Sequence, residues 1–121
     1  MLASKTVLIV DDDPQILRLV EKMLGGRRVT VLLAPRPSAA LRICEQQSLD
    51  LLIVDVALPE MDGDKLAERV LKLHPGAAVL LISGHYKDVP ASARLPRVRF
   101  LKKPFFPSQL MEHLHVLLPD A

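Results

Sequence analysis

Thr6-Val7-Leu8-Ile9-Val10-Asp11-Asp12-Asp13-Pro14 is the stretch whose reading decides the fold. A short β-branched apolar run stops abruptly at three acids, and a proline follows where a helix can begin. The same punctuation recurs down the chain. Leu51-Leu52-Ile53-Val54 ends in Asp55, Val79-Leu80-Leu81-Ile82 ends in Ser83, and the run at 98–101 ends in Lys102-Lys103-Pro104. Near-continuous apolar runs of this length suit parallel strands buried on both faces. If they lie side by side, their ends bring three carboxylates, a hydroxyl and an ammonium to one crevice, where open α/β sheets bind their ligands.

The segments between the runs read as helices, so the fold class is α/β, a parallel sheet covered on both faces. Asp13 can cap a first helix with Pro14 at its first position. Ile16, Val20, Met23 and Leu24 form its apolar stripe, and Gly25-Gly26 stops it. A short second strand is expected at 29–33. Ser38 is expected to cap a second helix to about Gln47, with Ala40, Leu41 and Cys44 inward. The third strand is expected at 50–55. A loop over Leu58-Pro59-Glu60-Met61-Asp62-Gly63 leads to a third helix, marked by Leu66, Ala67, Val70 and Leu71 and ending near His74-Pro75-Gly76. Pro107 opens a last helix striped by Leu110, Leu114, Leu117 and Leu118. Between Ser83 and Val98, Pro90 and Pro96 interrupt the pattern, and a short or irregular fourth helix is expected.

The 121 residues predict a single domain over 1–121 with its core at about 5–118. Half the residues are hydrophobic, yet Tyr86, Phe100, Phe105 and Phe106 are the only aromatics, so the core is aliphatic. The net charge of +2, with no basic run longer than two and no interleaved aromatics, argues against direct nucleic-acid binding. One cysteine, Cys44, excludes an internal disulfide and suits a reducing compartment. No stretch has the length of a membrane span, and the early acids argue against a signal peptide, so a cytoplasmic domain is expected.

Adjacent carboxylates repel by about 4 kcal/mol at 4 Å and an effective dielectric near 20. Either an acid stays protonated or a cation neutralises the cluster. An oxygen-only ligand set favours Mg²⁺ or Mn²⁺. A carboxylate beside such an ion can attack phosphorus, with Lys103 and Ser83 paired to the phosphoryl oxygens.

These motifs together resemble the response-regulator receiver domains of two-component signalling. The residues that carry the likeness are Val-Leu-Ile-Val-Asp11-Asp12-Asp13-Pro14, Asp55-Val-Ala-Leu-Pro59-Glu-Met-Asp62-Gly63, Leu-Ile-Ser83-Gly84 and Lys103-Pro104-Phe105, in matching order and spacing. The resemblance implies a flavodoxin-like (βα)5 fold of strand order 2-1-3-4-5. It implies that Asp55 accepts phosphate, and that Asp11, Asp12, Asp55 and the backbone carbonyl of Ala57 hold Mg²⁺ (or Mn²⁺). Lys103, before a cis peptide to Pro104, would bind the phosphate, and Ser83 and Phe100 would act as the switch. The implied partners are a sensor histidine kinase or a histidine phosphotransfer protein, together with a downstream protein. Arg99-Phe-Leu-Lys-Lys-Pro-Phe is similar to receivers at the C-terminus of hybrid histidine kinases.

Two departures bear on function. Ala57 offers no side chain to steer a hydrolytic water. The weak stretch before the fifth strand carries Lys87, Arg94, Arg97, Arg99 and Lys102 in place of a regular helix, which leaves the oligomeric state open. The competing readings are a phosphorylation-independent interaction module and a small metal-dependent phosphohydrolase. The haloacid-dehalogenase-like phosphatases place a second acid two residues after the nucleophile, where this chain has Ala57. Asp13, Asp62 and Asp64 read as helix-start and loop residues, Cys44 as a buried apolar group, and His74, His85, His113 and His115 as surface or boundary residues.

Overall fold

The computed structural model describes residues 4–84 and 97–119. Strands β1 (Lys5–Val10), β2 (Val29–Ala34), β3 (Leu51–Asp55), β4 (Ala78–Ser83) and β5 (Val98–Lys102) form one sheet of order β2-β1-β3-β4-β5, all pairs parallel. The helices among these residues are α1 (Pro14–Leu24), α2 (Pro37–Gln46), α3 (Gly63–Leu73) and α4 (Pro107–Leu117). This is the expected doubly wound, flavodoxin-like arrangement. The helix expected between β4 and β5 falls on residues 85–96, outside the described residues, as does His85.

Burial explains why the strand runs lack alternation. Every residue of β3 and β4 is buried, as are the last four of β1, whereas the edge strands β2 and β5 mix exposures. Alternate strand residues feed two aliphatic cores. On one face Leu8, Val10, Leu52, Val54, Val79 and Leu81 meet α2 and α3 through Ala40, Cys44, Leu66, Ala67 and Val70. On the other, Val7, Ile9, Ile53, Leu80 and Ile82 meet α1 and α4 through Val20, Leu24, Leu110, Leu114 and Leu117. Each fully buried branched side chain contributes roughly 1.5–3 kcal/mol of transfer free energy.

The helix boundaries follow local chemistry, with one correction. Asp13 caps α1 by accepting from the Gln15 N–H at 2.9 Å, and Gly26, at φ 83°, makes the turn beyond its end. Proline occupies the start of α1, α2 and α4. Ser38, expected as the α2 cap, lies instead inside the first turn, and Arg36 holds the cap position without a side-chain bond. Pro37 accounts for the shift, because its fixed φ starts the helix two residues earlier.

Lower in the molecule, His74 Nε2 lies 2.8 Å from the Cys44 carbonyl and ties α3 to α2. Of the basic stretch before α4, Arg97 donates to the Gly76 carbonyl at 2.8 Å and Arg99 to His113 Nδ1 at 2.7 Å, so both are engaged although exposed. No helix among the described residues is long and apolar enough to cross a membrane.

Candidate functional site

The sheet order reverses between β1 and β3: β2 lies outside β1, and β4 and β5 continue beyond β3. That switch point leaves a crevice at the carboxyl ends of β1 and β3. Asp11 and Asp55 stand there. Val10 pairs with Val54, so the residue after each pair member is delivered to the same edge.

The three consecutive aspartates take three different positions. Asp11 is 1% exposed, its main-chain N–H donates to the Ala34 carbonyl, and its Oδ1 accepts from the Asp13 N–H at 2.9 Å. Asp12 is exposed, and Asp13 is committed to capping α1. Asp55 closes β3, and its Oδ1 accepts from the Ala57 N–H at 3.3 Å. One oxygen from each of Asp11, Asp12 and Asp55 falls within a cluster 4.8 Å across.

Lys103 joins the two buried acids. Its Nζ lies 3.1 Å from Asp11 Oδ2 and 3.2 Å from Asp55 Oδ2. It arrives from the far side of the sheet through β5, because its N–H donates to the Ser83 carbonyl at 2.7 Å. The Lys103–Pro104 peptide is cis, as expected. Burial pushes the Asp11 carboxyl above the ordinary carboxylate range, and the Asp13 N–H and Lys103 only partly offset it. Burial also opposes the charge on Lys103, but there the two carboxylates outweigh it and hold the ammonium above the usual lysine value.

Three carboxylates therefore face one ammonium, and two negative charges remain unbalanced. An all-oxygen cluster with that surplus fits a divalent hard cation.

Ser83 is 3% exposed at the end of β4 and pairs with Lys102, while Phe100 is half-buried opposite Leu81. The two-residue period of strands puts Ser83 and Phe100 on the same face of the sheet, where Phe100 packs against the α2–α3 core. Ala57 is exposed. Asp62 holds the α3 cap position and Asp64 the first turn, and neither is among the clustered acids, as expected of helix-start residues.

Two features escaped the sequence. Gly63 packs directly on the Asp55 main chain, and the Glu60 carboxylate bonds Ser38 at the start of α2. Neither has a local signal beyond the turn composition of the loop, since the partners come from other elements.

An acid cluster at the switch point of a doubly wound sheet, spanned by the lysine that follows β5, places the molecule in the class of flavodoxin-like α/β domains with a ligand crevice at the strand ends. The profile of the family described as the response regulator receiver domain matches residues 7–115. An uncharacterized 14.6 kDa protein of Leptolyngbya boryana is 37% identical over 99% of this chain and 98% of its own. The response regulator receiver protein CpdR of Brucella abortus is 27% identical over 97% of this chain and 99% of its own. Sensor kinase CckA of the same species is 35% identical over 88% of this chain, which spans 12% of that protein. A CheY-like receiver from Methanospirillum hungatei superposes with a TM-score of 0.86 at 28% identity, over 96% of this chain and 94% of that one. The chain belongs to the response-regulator receiver domain family of two-component systems.

Proposed function

We propose that this domain takes a phosphoryl group onto Asp55 from a phosphohistidine of a sensor histidine kinase or histidine phosphotransfer protein. The reaction depends on Mg²⁺, and it switches a surface that binds a downstream protein. The observation that carries this reading is the bridge of Lys103 Nζ between Asp11 and Asp55, beside the exposed carboxylate of Asp12.

Asp11, Asp12, Asp55 and the Ala57 carbonyl would hold Mg²⁺, with Mn²⁺ suited to the same donors. When bound, the ion supplies positive charge against the phosphoryl oxygens and the acid cluster. A carboxylate oxygen of Asp55 attacks phosphorus in line, the P–N bond breaks, and its electron pair stays on the donor imidazole. Lys103 transfers its ion pair from the Asp55 carboxylate to a phosphoryl oxygen, and the Ser83 hydroxyl donates to another. Ser83 shares a sheet face with Phe100, so its movement opens space into which the ring repacks. Ala57 presents no side chain to hold a hydrolytic water, so the lifetime of the phosphoryl group rests on other groups. The domain acts as a signalling acceptor in the cytoplasm, working through protein partners and not through direct nucleic-acid contact.

The test is incubation with acetyl phosphate, with and without Mg²⁺, read by intact mass beside an Asp55→Asn control. A Mg²⁺-dependent gain of one phosphoryl group, absent in the control, is expected. No gain, together with no beryllofluoride binding, would overturn the reading in favour of a phosphorylation-independent interaction module. Steady hydrolysis of a general phosphoester would instead make the domain a phosphohydrolase.

A further inference from the structure

The loop at 56–62 leaves β3 directly after Asp55, and it is tied down at both ends. At its base the Gly63 N–H donates to the Val56 carbonyl at 2.7 Å. At its tip the two oxygens of Glu60 accept separately from Ser38, Oε1 from the N–H at 2.9 Å and Oε2 from the hydroxyl at 3.0 Å. Ser38 stands in the first turn of α2, where main-chain N–H groups have no partner within the helix and the dipole favours an anion. Arg36 at the cap position supplies no acceptor, so Glu60 does the capping from 22 residues away.

Glu60 holds this contact at φ 69°, a left-handed conformation that crowds the β-carbon of an L-residue. Such backbone persists only where the surroundings over-determine it. The two-oxygen bond does this, fixing both the position and the direction of the loop tip. Three residues earlier the same loop carries Ala57, whose N–H reaches Asp55 Oδ1 over a long 3.3 Å. Glu60 and Pro59 also wall a groove of about 330 Å³ whose other lining residues are Asp12, Pro35 and Arg36. The clamped loop thus bonds Asp55 through Ala57 and shares a groove with Asp12 through Glu60.

We infer that Glu60 and Ser38 are a positioning pair for the phosphoacceptor site: their double hydrogen bond locks the β3–α3 loop so that Asp55 and the Ala57 backbone are held in register with Asp11 and Asp12. The inference rests on the proposed phosphoacceptor function. Neither residue touches the reacting atoms; both act through the main chain between 57 and 60.

Mg²⁺ titration of the whole chain tests this, in wild type, Glu60→Ala, Glu60→Gly, Glu60→Gln, Ser38→Ala and the Glu60→Ala/Ser38→Ala double variant. Supporting groups behind metal ligands typically control affinity by 10–100-fold, so Glu60→Ala is expected to weaken Mg²⁺ about tenfold. Ser38→Ala keeps its N–H and loses less, Glu60→Gln keeps one acceptor oxygen and recovers part of the affinity, and the double variant is no weaker than Glu60→Ala alone. Glu60→Gly separates position from stability. Glycine accepts φ 69° without crowding, so thermal stability returns toward wild type while Mg²⁺ stays weak. In metal-free protein, amide shifts in Glu60→Gly are expected to concentrate at 56–62 and in the first turn of α2. Wild-type Mg²⁺ affinity in both Glu60→Ala and Glu60→Gly would overturn the positioning role alone. Absence of Mg²⁺ binding by the wild type would overturn the phosphoacceptor reading, and the positioning role with it.

Discussion

Gly63 lies so close to Asp55 that a β-carbon added to it would overlap the Asp55 carbonyl oxygen. The contact brings the N-terminus of α3 onto the end of β3, and the Gly63 N–H bond to Val56 closes the loop between them. Because the neighbour is main chain, no rotamer change can make room. Gly63→Ala is expected to destabilise the fold by about 2–3 kcal/mol and to impair phosphoryl uptake, read by urea unfolding and intact mass. Full stability in that variant would mean that α3 can shift without cost.

Lys103 neutralises part of the acid cluster from 3.1 and 3.2 Å. Lys103→Ala leaves two buried carboxylates without their cation, a loss of about 1–3 kcal/mol in metal-free protein. Mg²⁺ binding should survive, because the oxygen donors remain, and saturating Mg²⁺ should return part of the lost stability. Phosphorylation-dependent amide shifts should disappear; their persistence would count against a coupling role for the lysine.

Asp12 contributes a charge without burial. Asp12→Ala is expected to weaken Mg²⁺ at least tenfold by calorimetric titration, while metal-free stability stays level or rises slightly as repulsion with Asp11 and Asp55 is relieved. Equal affinity would remove Asp12 from the site.

Burial, then the charge of Arg99, holds the His113 imidazolium below its ordinary 6.5, with Glu112 pulling weakly the other way. Arg99 Nε donates to Nδ1 at 2.7 Å, which requires that nitrogen to be unprotonated. The unfolded chain binds this proton at higher pH than the folded one, so it carries more protons in the window below 6.5. Stability should therefore fall as pH drops through that window. His113→Gln should flatten the slope of the urea midpoint as pH falls below 6.5.

Burial, and to a smaller extent Glu45, raises the Cys44 thiol above its usual 9.0. Folded protein should resist iodoacetamide and react only on unfolding. The sign for stability is the same as for any raised group: the contribution is intact below pH 9.0 and is lost as pH climbs beyond it. Rapid alkylation of native protein would place the thiol at the surface.

Much of this could be read from one dimension. Strand ends, helix starts at Pro14 and Pro107, and the stop at Gly25-Gly26 depend on propensities that act over a few residues. The unbroken apolar runs of β1, β3 and β4 announced burial on both faces, and their acidic terminators announced the site. Ser38 misled because its composition fits a cap, while its actual partner, Glu60, lies on another loop.

The sequence by itself determined the α/β class, the aliphatic core and the identity of Asp11, Asp12, Asp55, Ser83 and Lys103 as neighbours-in-waiting. All of these follow from local periodicity and from where polar residues interrupt it. Tertiary structure alone decided that Lys103 reaches both Asp11 and Asp55, that Gly63 must lack a side chain, that Glu60 caps a distant helix, and that Arg99 pairs with His113. Those contacts join residues between 8 and 92 positions apart in the chain. Strand order and register set such distances, and neither is encoded in any single segment.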